Sequence, residues 1–244
     1  MDFLHLFFDE DLNHLVIQTN KYAQAYIDSS PILPEHNRVK DWEPVTHEEM
    51  RKFLGLVLLM GLIKLPSIDL HWSKKLLYRI PVFGSVMPRN RFQAILRFLH
   101  FHDSAGMPGR NDPSYDRLYN IRPVIVHLYE GFQAVYEPCQ AVCVVESSLL
   151  WKGKLIFRQY NSLKRARCRI KLYLCCESDN GDKGSGGYCY RFKVYAGKED
   201  PVNDIVPVLP SDAQILSIGE RMVLFLIAPL LGKRISRLYR QLVY

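Results

Sequence analysis

The sequence predicts an α+β protein in which an N-terminal helical region precedes a partial mixed sheet. Apolar residues recur at three- and four-residue spacing through much of the first 138 residues, which is typical of amphipathic helices. After residue 138, short segments rich in β-branched and aromatic residues alternate with turn-forming residues, as strands do. We therefore expect two regions, residues 1–138 and residues 139–244.

Four helices are expected in the first region. They are residues 1–30, the segment between Thr46 and Pro66, residues 87–103 and residues 121–138. Thr46 followed by Glu49 resembles a capping box, and Pro66 ends the same helix. The expected apolar stripe of the third helix consists of Phe92, Ile95, Leu96 and Leu99.

The second region is expected to hold a three-strand meander, a helix and a fourth strand. The expected strands are residues 141–147, 169–178, 188–197 and 236–244, with the helix at residues 219–233. Turn-forming residues follow each of the first three strands. Three antiparallel strands, a helix and a strand are the order in which an RNase H-like fold begins.

Charge and hydropathy narrow the class of protein. The formal net charge is +7 and the pI is about 9.0, which favours nucleic acid or another polyanion as partner. The longest apolar runs, residues 53–63 and 222–232, are about half of the roughly 20 residues that span a bilayer, so they indicate core helices. The N-terminus lacks the features of a signal peptide, so we expect an intracellular protein with no membrane partner.

The cysteines do not form a zinc-binding pattern. There are six cysteines, no C-x-x-C pair occurs, and all eight histidines precede the first cysteine. In a reducing compartment we expect these cysteines to be free thiols in the interior of the protein.

Residues 151–171 form a basic stretch that is a candidate for contact with DNA. The stretch has eight basic residues, no acidic residue, and the aromatic residues Trp151, Phe157 and Tyr160 between them. Cations neutralise phosphates and aromatic rings stack on bases. The candidate residues are Lys152, Lys154, Arg158, Lys164, Arg165, Arg167, Arg169 and Lys171. The alternative is a solvated strand edge that is protected from pairing by its charge.

Several longer segments carry a resemblance to a known family. They are TNKYA (19–23), LGLVLLMGLIKLPSIDLHWS (54–73), MPRNRFQAILRFLHFHD (87–103), DRLYNIRPVI (116–125), ESSLLWKGK (146–154) and GYCYRFKVYAGK (187–198). In this order they resemble a piggyBac-type transposase or a domesticated descendant of one. The resemblance extends from about Phe8 to Tyr244.

The resemblance implies a DDE-type DNA transposase that works in the nucleus, which also agrees with the basic charge. Residues 1–138 would then help with dimerisation and DNA binding, and residues 139–244 would be a truncated RNase H-like core. In the family this core cuts DNA with three aspartates and two divalent metal ions, and a cysteine-rich zinc module usually closes the chain. Metal ions of this kind activate the attacking oxygen and stabilise the leaving oxygen.

The chain departs from the family at the positions of the metal ligands. The family motif Asp-Glu-Ser before Lys-Gly corresponds here to Val145, Glu146 and Ser147. The second motif, Leu-Tyr, one variable residue and then Asp-Asn, places the aspartate at Gln241 if one residue is inserted near Ser236. The third aspartate and the cysteine-rich module would lie beyond Tyr244. Because adjacent residues of a strand point to opposite faces, Glu146 does not replace the acid lost at Val145.

The sequence therefore predicts a piggyBac-derived protein that is not an enzyme, with no catalytic residue, metal ligand or cofactor. It would bind DNA non-specifically through the basic stretch. The alternative is a protein-interaction module or a non-functional transposon relic without DNA binding. A homodimer or another protein partner is also expected, because the uncovered edge of a partial sheet favours pairing with another chain.

Overall fold

The structure is a computed structural model of a chain that divides into two compact units, Met1–Ala105 and Gly106–Tyr244. It describes residues 3–29, 39, 41–139, 141–151, 153–160, 162, 168–178, 187–197, 217–232 and 237–241. For residues 3–11, 218 and 237–241 it describes the backbone alone. The division into domains at residue 138 stays a prediction, although helices do give way to strands after Val135.

The first unit is helical, as predicted. Its α-helices are α1 (Phe3–Asp28), α2 (His47–Leu62), α3 (Pro81–Val86) and α4 (Arg89–Phe98). Two short 3-10 helices, Ile68–Trp72 and Leu76–Tyr78, connect α2 to α3. The core of the unit is built from side chains of all four α-helices, among them Leu12, Leu15, Phe53, Phe83, Phe92 and Ile95. Burial of these large apolar side chains is the main source of the unit's stability.

The start of α2 is tied to α4 by one acidic residue. The hydroxyl of Thr46 accepts a hydrogen bond from the backbone N–H of Glu49, as the capping motif predicted. The Glu49 carboxylate accepts two hydrogen bonds from the Arg91 guanidinium, both of 2.6 Å. Bidentate pairs of this kind fix geometry as well as charge. Arg91 therefore has a structural role between the two helices.

Helix α4 is shorter than predicted, and its apolar stripe differs at one position. Leu96 is 41% exposed, whereas Phe98 is 1% exposed and occupies the core. The helix ends at Phe98, and Thr19 of α1 lies beside the backbone that follows. Its hydroxyl accepts a hydrogen bond from the N–H of His100 and donates one to the carbonyl of the same residue. Thr19, which is distant in the sequence, thus binds backbone groups that a longer α4 would use. The local apolar pattern could not reveal this contact.

The second unit contains the predicted sheet. Its elements are α5 (Arg122–Val135), β1 (Ala141–Leu150), β2 (Gln159–Tyr160), β3 (Cys168–Glu177), β4 (Cys189–Val194), α6 (Ile218–Ile227) and β5 (Arg237–Gln241). Strand β3 pairs antiparallel with β1 along one edge and with β4 and β2 along the other. Strand β5 pairs parallel with β1, along the edge of β1 that does not pair with β3. The predicted meander, helix and fourth strand are thus confirmed, and β2 is an addition of two residues.

Helices cover parts of both sheet faces. Phe225, Leu226 and Leu230, in α6 and the 3-10 turn after it, pack against Val142 and Val144 of β1. On the other face, Ile125 of α5 belongs to a cluster with Ile170 of β3 and Phe192 of β4. A capping box between Ser217 and Glu220 starts α6. In the part of the chain that the structure describes, no helix is long and apolar enough to cross a bilayer.

Candidate nucleic-acid interface

The position of Val145 is defined by the register of strand β1. Val145 lies opposite Leu174 of β3, and Glu146 lies opposite Tyr173. The Glu146 carboxylate forms an ion pair of 2.9 Å with the Lys171 ammonium, which lies 4.9 Å from the centre of the Tyr173 ring. Glu146 therefore belongs to the sheet face that carries Val142 and Val144, and Val145 belongs to the opposite face.

The electrostatics of this pair favour a structural role for Glu146. Partial burial lowers the pKa of Lys171, but hydrogen bonds with Tyr173 and Glu146 outweigh burial and hold that pKa above its ordinary value. Lys171 is therefore a charged partner of Glu146 at neutral pH. A carboxylate that is paired in this way, on the face away from Val145, does not supply a metal ligand at the Val145 position.

The second predicted motif position lies beside the first. In the parallel pairing of β1 with β5, the Cα partner of Val145 is Gln241. The two positions are 96 residues apart in the sequence (241 minus 145) and are adjacent across two strands. This register supports the assignment of Gln241 to the second motif, which required one inserted residue in the sequence.

A basic groove lies on the second unit, near the turn that follows β1. It is a cavity of about 520 Å³ lined by Arg110, Tyr115, Arg117, Lys154, Leu155, Ile156, Phe157 and Arg158. Of the predicted DNA-contacting residues, the structure places Lys154 and Arg158 in this groove, and both side chains are exposed. Arg110 and Arg117 also line the groove, and they were not among the residues predicted from the sequence.

Two contacts fix the segment before α5, one with the turn after β1 and one with the residues after β4. Leu118 and Phe157 are buried members of one apolar cluster. The Arg117 guanidinium donates a 2.7 Å hydrogen bond to the carbonyl oxygen of Ala196. Gly197 has a φ of +117°, and a side chain there would collide with Arg117, so glycine is needed on both counts. The segments that line the groove are thus held in place by apolar packing and by a hydrogen bond.

The remaining candidate residues are placed differently. Arg169 and Lys171 lie on β3, where Arg169 donates a hydrogen bond of 2.9 Å to the Ser148 hydroxyl and Lys171 is paired with Glu146. Four other candidates lie outside the described residues, namely Lys152, Lys164, Arg165 and Arg167. The role of all eight in DNA contact stays a prediction.

The aromatic side chains of the basic stretch divide into exposed and buried rings. Trp151 and Tyr160 are 42% and 66% exposed, whereas Phe157 is 8% exposed and belongs to the core. The Trp151 indole packs over Gly153, where a side chain would collide with it. Only Trp151 and Tyr160 therefore present rings on which a base could stack.

Comparison with known proteins identifies the family. A family model described as Transposase IS4 matches residues 1–243. PiggyBac transposable element-derived protein 5 of Homo sapiens is 28% identical over 141 residues, which are 57% of this chain and 25% of that protein. PiggyBac transposable element-derived protein 2 of Homo sapiens is 30% identical over 130 residues, 52% of this chain and 19% of that protein. The chain belongs to the piggyBac transposase family.

A solved piggyBac structure confirms the fold. The chain is similar to the piggyBac transposase in a cryo-electron microscopy structure of a synaptic complex with hairpin DNA, with a TM-score of 0.68 and 21% identity. The match covers 93% of this chain and 42% of that one. The predicted RNase H-like architecture is therefore correct. This chain spans a quarter or less of the length of the two human piggyBac-derived proteins.

The metal ions expected for a piggyBac transposase do not fit the residues at the two motif positions. The side chain of Val145 has no atom that could bind a cation, and Gln241 has an amide where the family motif has a carboxylate. Within the described residues, no three histidine, cysteine, aspartate or glutamate side chains form a group that could hold a metal ion.

Proposed function

We propose that this piggyBac-derived protein binds DNA non-specifically through the basic groove and does not cleave it. The observation that carries the proposal is the convergence of Arg110, Arg117, Lys154 and Arg158 on one cavity. No acidic residue is among the described residues that line this cavity. Four basic residues that line one cavity favour a polyanion, and a phosphate backbone supplies negative charges at regular spacing.

The residues that line the groove favour contact with the phosphate backbone of DNA over recognition of bases. Its other lining residues, Tyr115, Leu155, Ile156 and Phe157, offer an apolar floor and one phenol, with few groups that could read a base edge. Contacts to phosphates fix the position of a protein on DNA but carry no sequence information. Binding is therefore expected to depend on salt and little on sequence.

The proposed lack of cleavage is supported by the neighbouring positions Val145 and Gln241. In a DDE-type site, carboxylates at these two positions would hold a divalent metal ion between adjacent strands. A valine cannot do this, and Glu146 is paired with Lys171 on the other face. No step of strand cleavage can therefore be assigned to the described residues of this chain.

Titration of labelled duplex DNA, followed by fluorescence anisotropy at several salt concentrations, tests DNA binding. We expect binding that weakens steeply with salt. The double variant Lys154→Gln/Arg158→Gln is expected to reduce the slope of log Kd against log salt by about two, because each lost phosphate contact changes the slope by about one. At 0.1 M salt the same variant should bind at least about tenfold more weakly.

The matched control removes the same charge from the first unit. Lys64 and Lys75 are exposed, and the double variant Lys64→Gln/Lys75→Gln changes the net charge by the same amount. This control is expected to retain the salt slope of the unmodified protein. If the two double variants weaken binding equally, general charge and not the groove governs the affinity. Absence of binding by folded protein would contradict the proposal and favour an interaction module or a relic.

Incubation of supercoiled plasmid with the protein and Mg²⁺ or Mn²⁺ tests the absence of cleavage. We expect the plasmid to remain supercoiled, and we expect Glu146→Ala to behave as the unmodified protein does. Metal-dependent nicking that Glu146→Ala abolishes would overturn this part of the proposal, because it would make Glu146 a metal ligand.

DNA binding of this kind has consequences for location and assembly. We propose that the protein acts in the nucleus, where its polyanionic partner is found, and that it associates with a second copy or with another protein. Imaging of the tagged full chain in cells tests the first point, and light scattering of the purified protein tests the second.

A further inference from the structure

Three cysteines form a row across three neighbouring strands of the sheet. Cys143 of β1 is the Cα partner of Cys176 of β3, and Cys176 is the Cα partner of Cys189 of β4. All three are partly exposed free thiols. Cys175, the neighbour of Cys176 in β3, lies on the opposite face and is buried. None of the three cysteines is among the residues that line the basic groove.

The backbone hydrogen bonds show which two thiols are closer. The N–H of Glu177 donates to the carbonyl of Tyr188, so Cys176 and Cys189 are a non-hydrogen-bonded pair of the β3–β4 ladder. The N–H of Ser178 donates to the carbonyl of Ala141. Because the two kinds of pair alternate along a ladder, the pair two residues further along, Cys143 and Cys176, is a hydrogen-bonded pair.

This difference matters because the two kinds of pair have different spacing. Cα atoms are about 4.5 Å apart in a non-hydrogen-bonded antiparallel pair and about 5.5 Å apart in a hydrogen-bonded pair, and the side chains are closer in the former. Disulfides join Cα atoms that are roughly 4.4–6.8 Å apart. The β3–β4 register shifts between Cys175 and Cys176, and the pair Cys176–Cys189 follows this irregularity. Cys189 is the better partner for Cys176, because the side chains of a non-hydrogen-bonded pair are the closer ones.

We propose that Cys176 and Cys189 are a thiol modification site, at which a peroxide oxidises the two thiols to a disulfide between β3 and β4. In the first step the Cys189 sulfur attacks one peroxide oxygen, the O–O bond breaks, and Cys189 becomes a sulfenic acid. In the second step the Cys176 sulfur attacks the Cys189 sulfur and the S–O bond breaks. Two thiols lose two electrons, and hydrogen peroxide is reduced to two water molecules.

The contact between the two thiols supports this order of attack. The contact between the Cys176 and Cys189 thiols lowers the pKa of Cys189, and the same contact, together with burial, raises the pKa of Cys176. The Cys189 thiol also donates a hydrogen bond of 3.7 Å to the carbonyl oxygen of Arg191. Burial raises the pKa of Cys143, and it raises the pKa of Cys175 to about 12. Since the thiolate is the nucleophile, Cys189 reacts with the peroxide first and Cys176 resolves the product.

Peptide mapping of the folded full chain after treatment with hydrogen peroxide tests the proposal. We expect a crosslink between the peptides that contain Cys176 and Cys189, the loss of two free thiols per chain, and full reversal by dithiothreitol. The variant Cys176→Ser should retain Cys189 as a sulfenic acid that a dimedone reagent captures. The variant Cys189→Ser should give neither the crosslink nor a captured sulfenic acid at Cys176.

Cys168→Ser is the matched control, because Cys168 is also a partly exposed thiol of β3 but does not lie in the row. It is expected to form the Cys176–Cys189 disulfide as the unmodified protein does. A crosslink between Cys143 and Cys176, or no crosslink at all in folded protein, overturns the proposal. So does the same set of crosslinks in protein unfolded by urea. The map of the unmodified protein decides the matter even if a serine variant does not fold.

Discussion

The double variant Val145→Asp/Gln241→Asp is expected to bind Mn²⁺, which the unmodified protein is expected not to bind. The two positions are Cα partners on adjacent parallel strands, and neighbouring strands lie about 4.8 Å apart. Two carboxylates at this spacing supply the oxygen ligands that Mn²⁺ and Mg²⁺ prefer. Titration calorimetry should show affinity for Mn²⁺ at least about tenfold higher than that of either single variant, because both ligands act on one ion.

The control for this experiment introduces the same two acids but places one of them further along the strand. Ser147 lies two residues further along β1 on the same face as Val145, so Ser147→Asp/Gln241→Asp separates the two acids by roughly 7 Å more along the strand. We expect this variant to bind Mn²⁺ no better than Gln241→Asp alone. If the control binds as tightly as the designed pair, the two positions are not neighbours as the register indicates. Tight binding by the unmodified protein would contradict the proposed loss of the metal site.

The fold was predicted well where each element carries its own pattern. The strands β1, β3 and β4 have β-branched and aromatic residues bounded by turns, and α2 has both a cap and an apolar face. Strand β2 was missed because two residues are too few to show a period. The end of α4 was misplaced because Thr19, about 80 residues earlier in the chain, binds the backbone of His100.

The candidate interface was predicted only in the part that is contiguous in the sequence. Lys154 and Arg158 stand out in a stretch without acids, whereas Arg110 and Arg117 lie in a segment that also contains Asp112 and Asp116. Their place in the groove depends on the burial of Leu118 and Phe157 in one cluster, which no local pattern reveals. In the same way, motif comparison could align Val145 and Gln241, but only the parallel register makes them neighbours.

Phe225→Ala is expected to be among the most destabilising single changes in the second unit. Phe225 is 4% exposed, and its ring lies under two cations, with the Arg191 guanidinium carbon at 4.0 Å and the Lys193 ammonium at 4.5 Å from the ring centre. Loss of a buried phenylalanine typically costs about 3–5 kcal/mol. Urea unfolding followed by far-ultraviolet circular dichroism measures this cost. Val223→Ala in the same helix, where a smaller and partly buried side chain is removed, should cost about 1 kcal/mol.

Phe225→Leu separates the two contributions of this ring. Leucine fills much of the same volume but has no π-face, so it preserves apolar packing and removes the attraction to Arg191 and Lys193. Burial already lowers the pKa of Arg191, and its Nε has no hydrogen-bond partner among the described residues, so the ring face is one of its few favourable contacts. Desolvated cation–π contacts are worth up to about 2 kcal/mol. We therefore expect Phe225→Leu to destabilise the protein by about 1–2 kcal/mol, and a neutral result would mean that the ring acts through its volume alone.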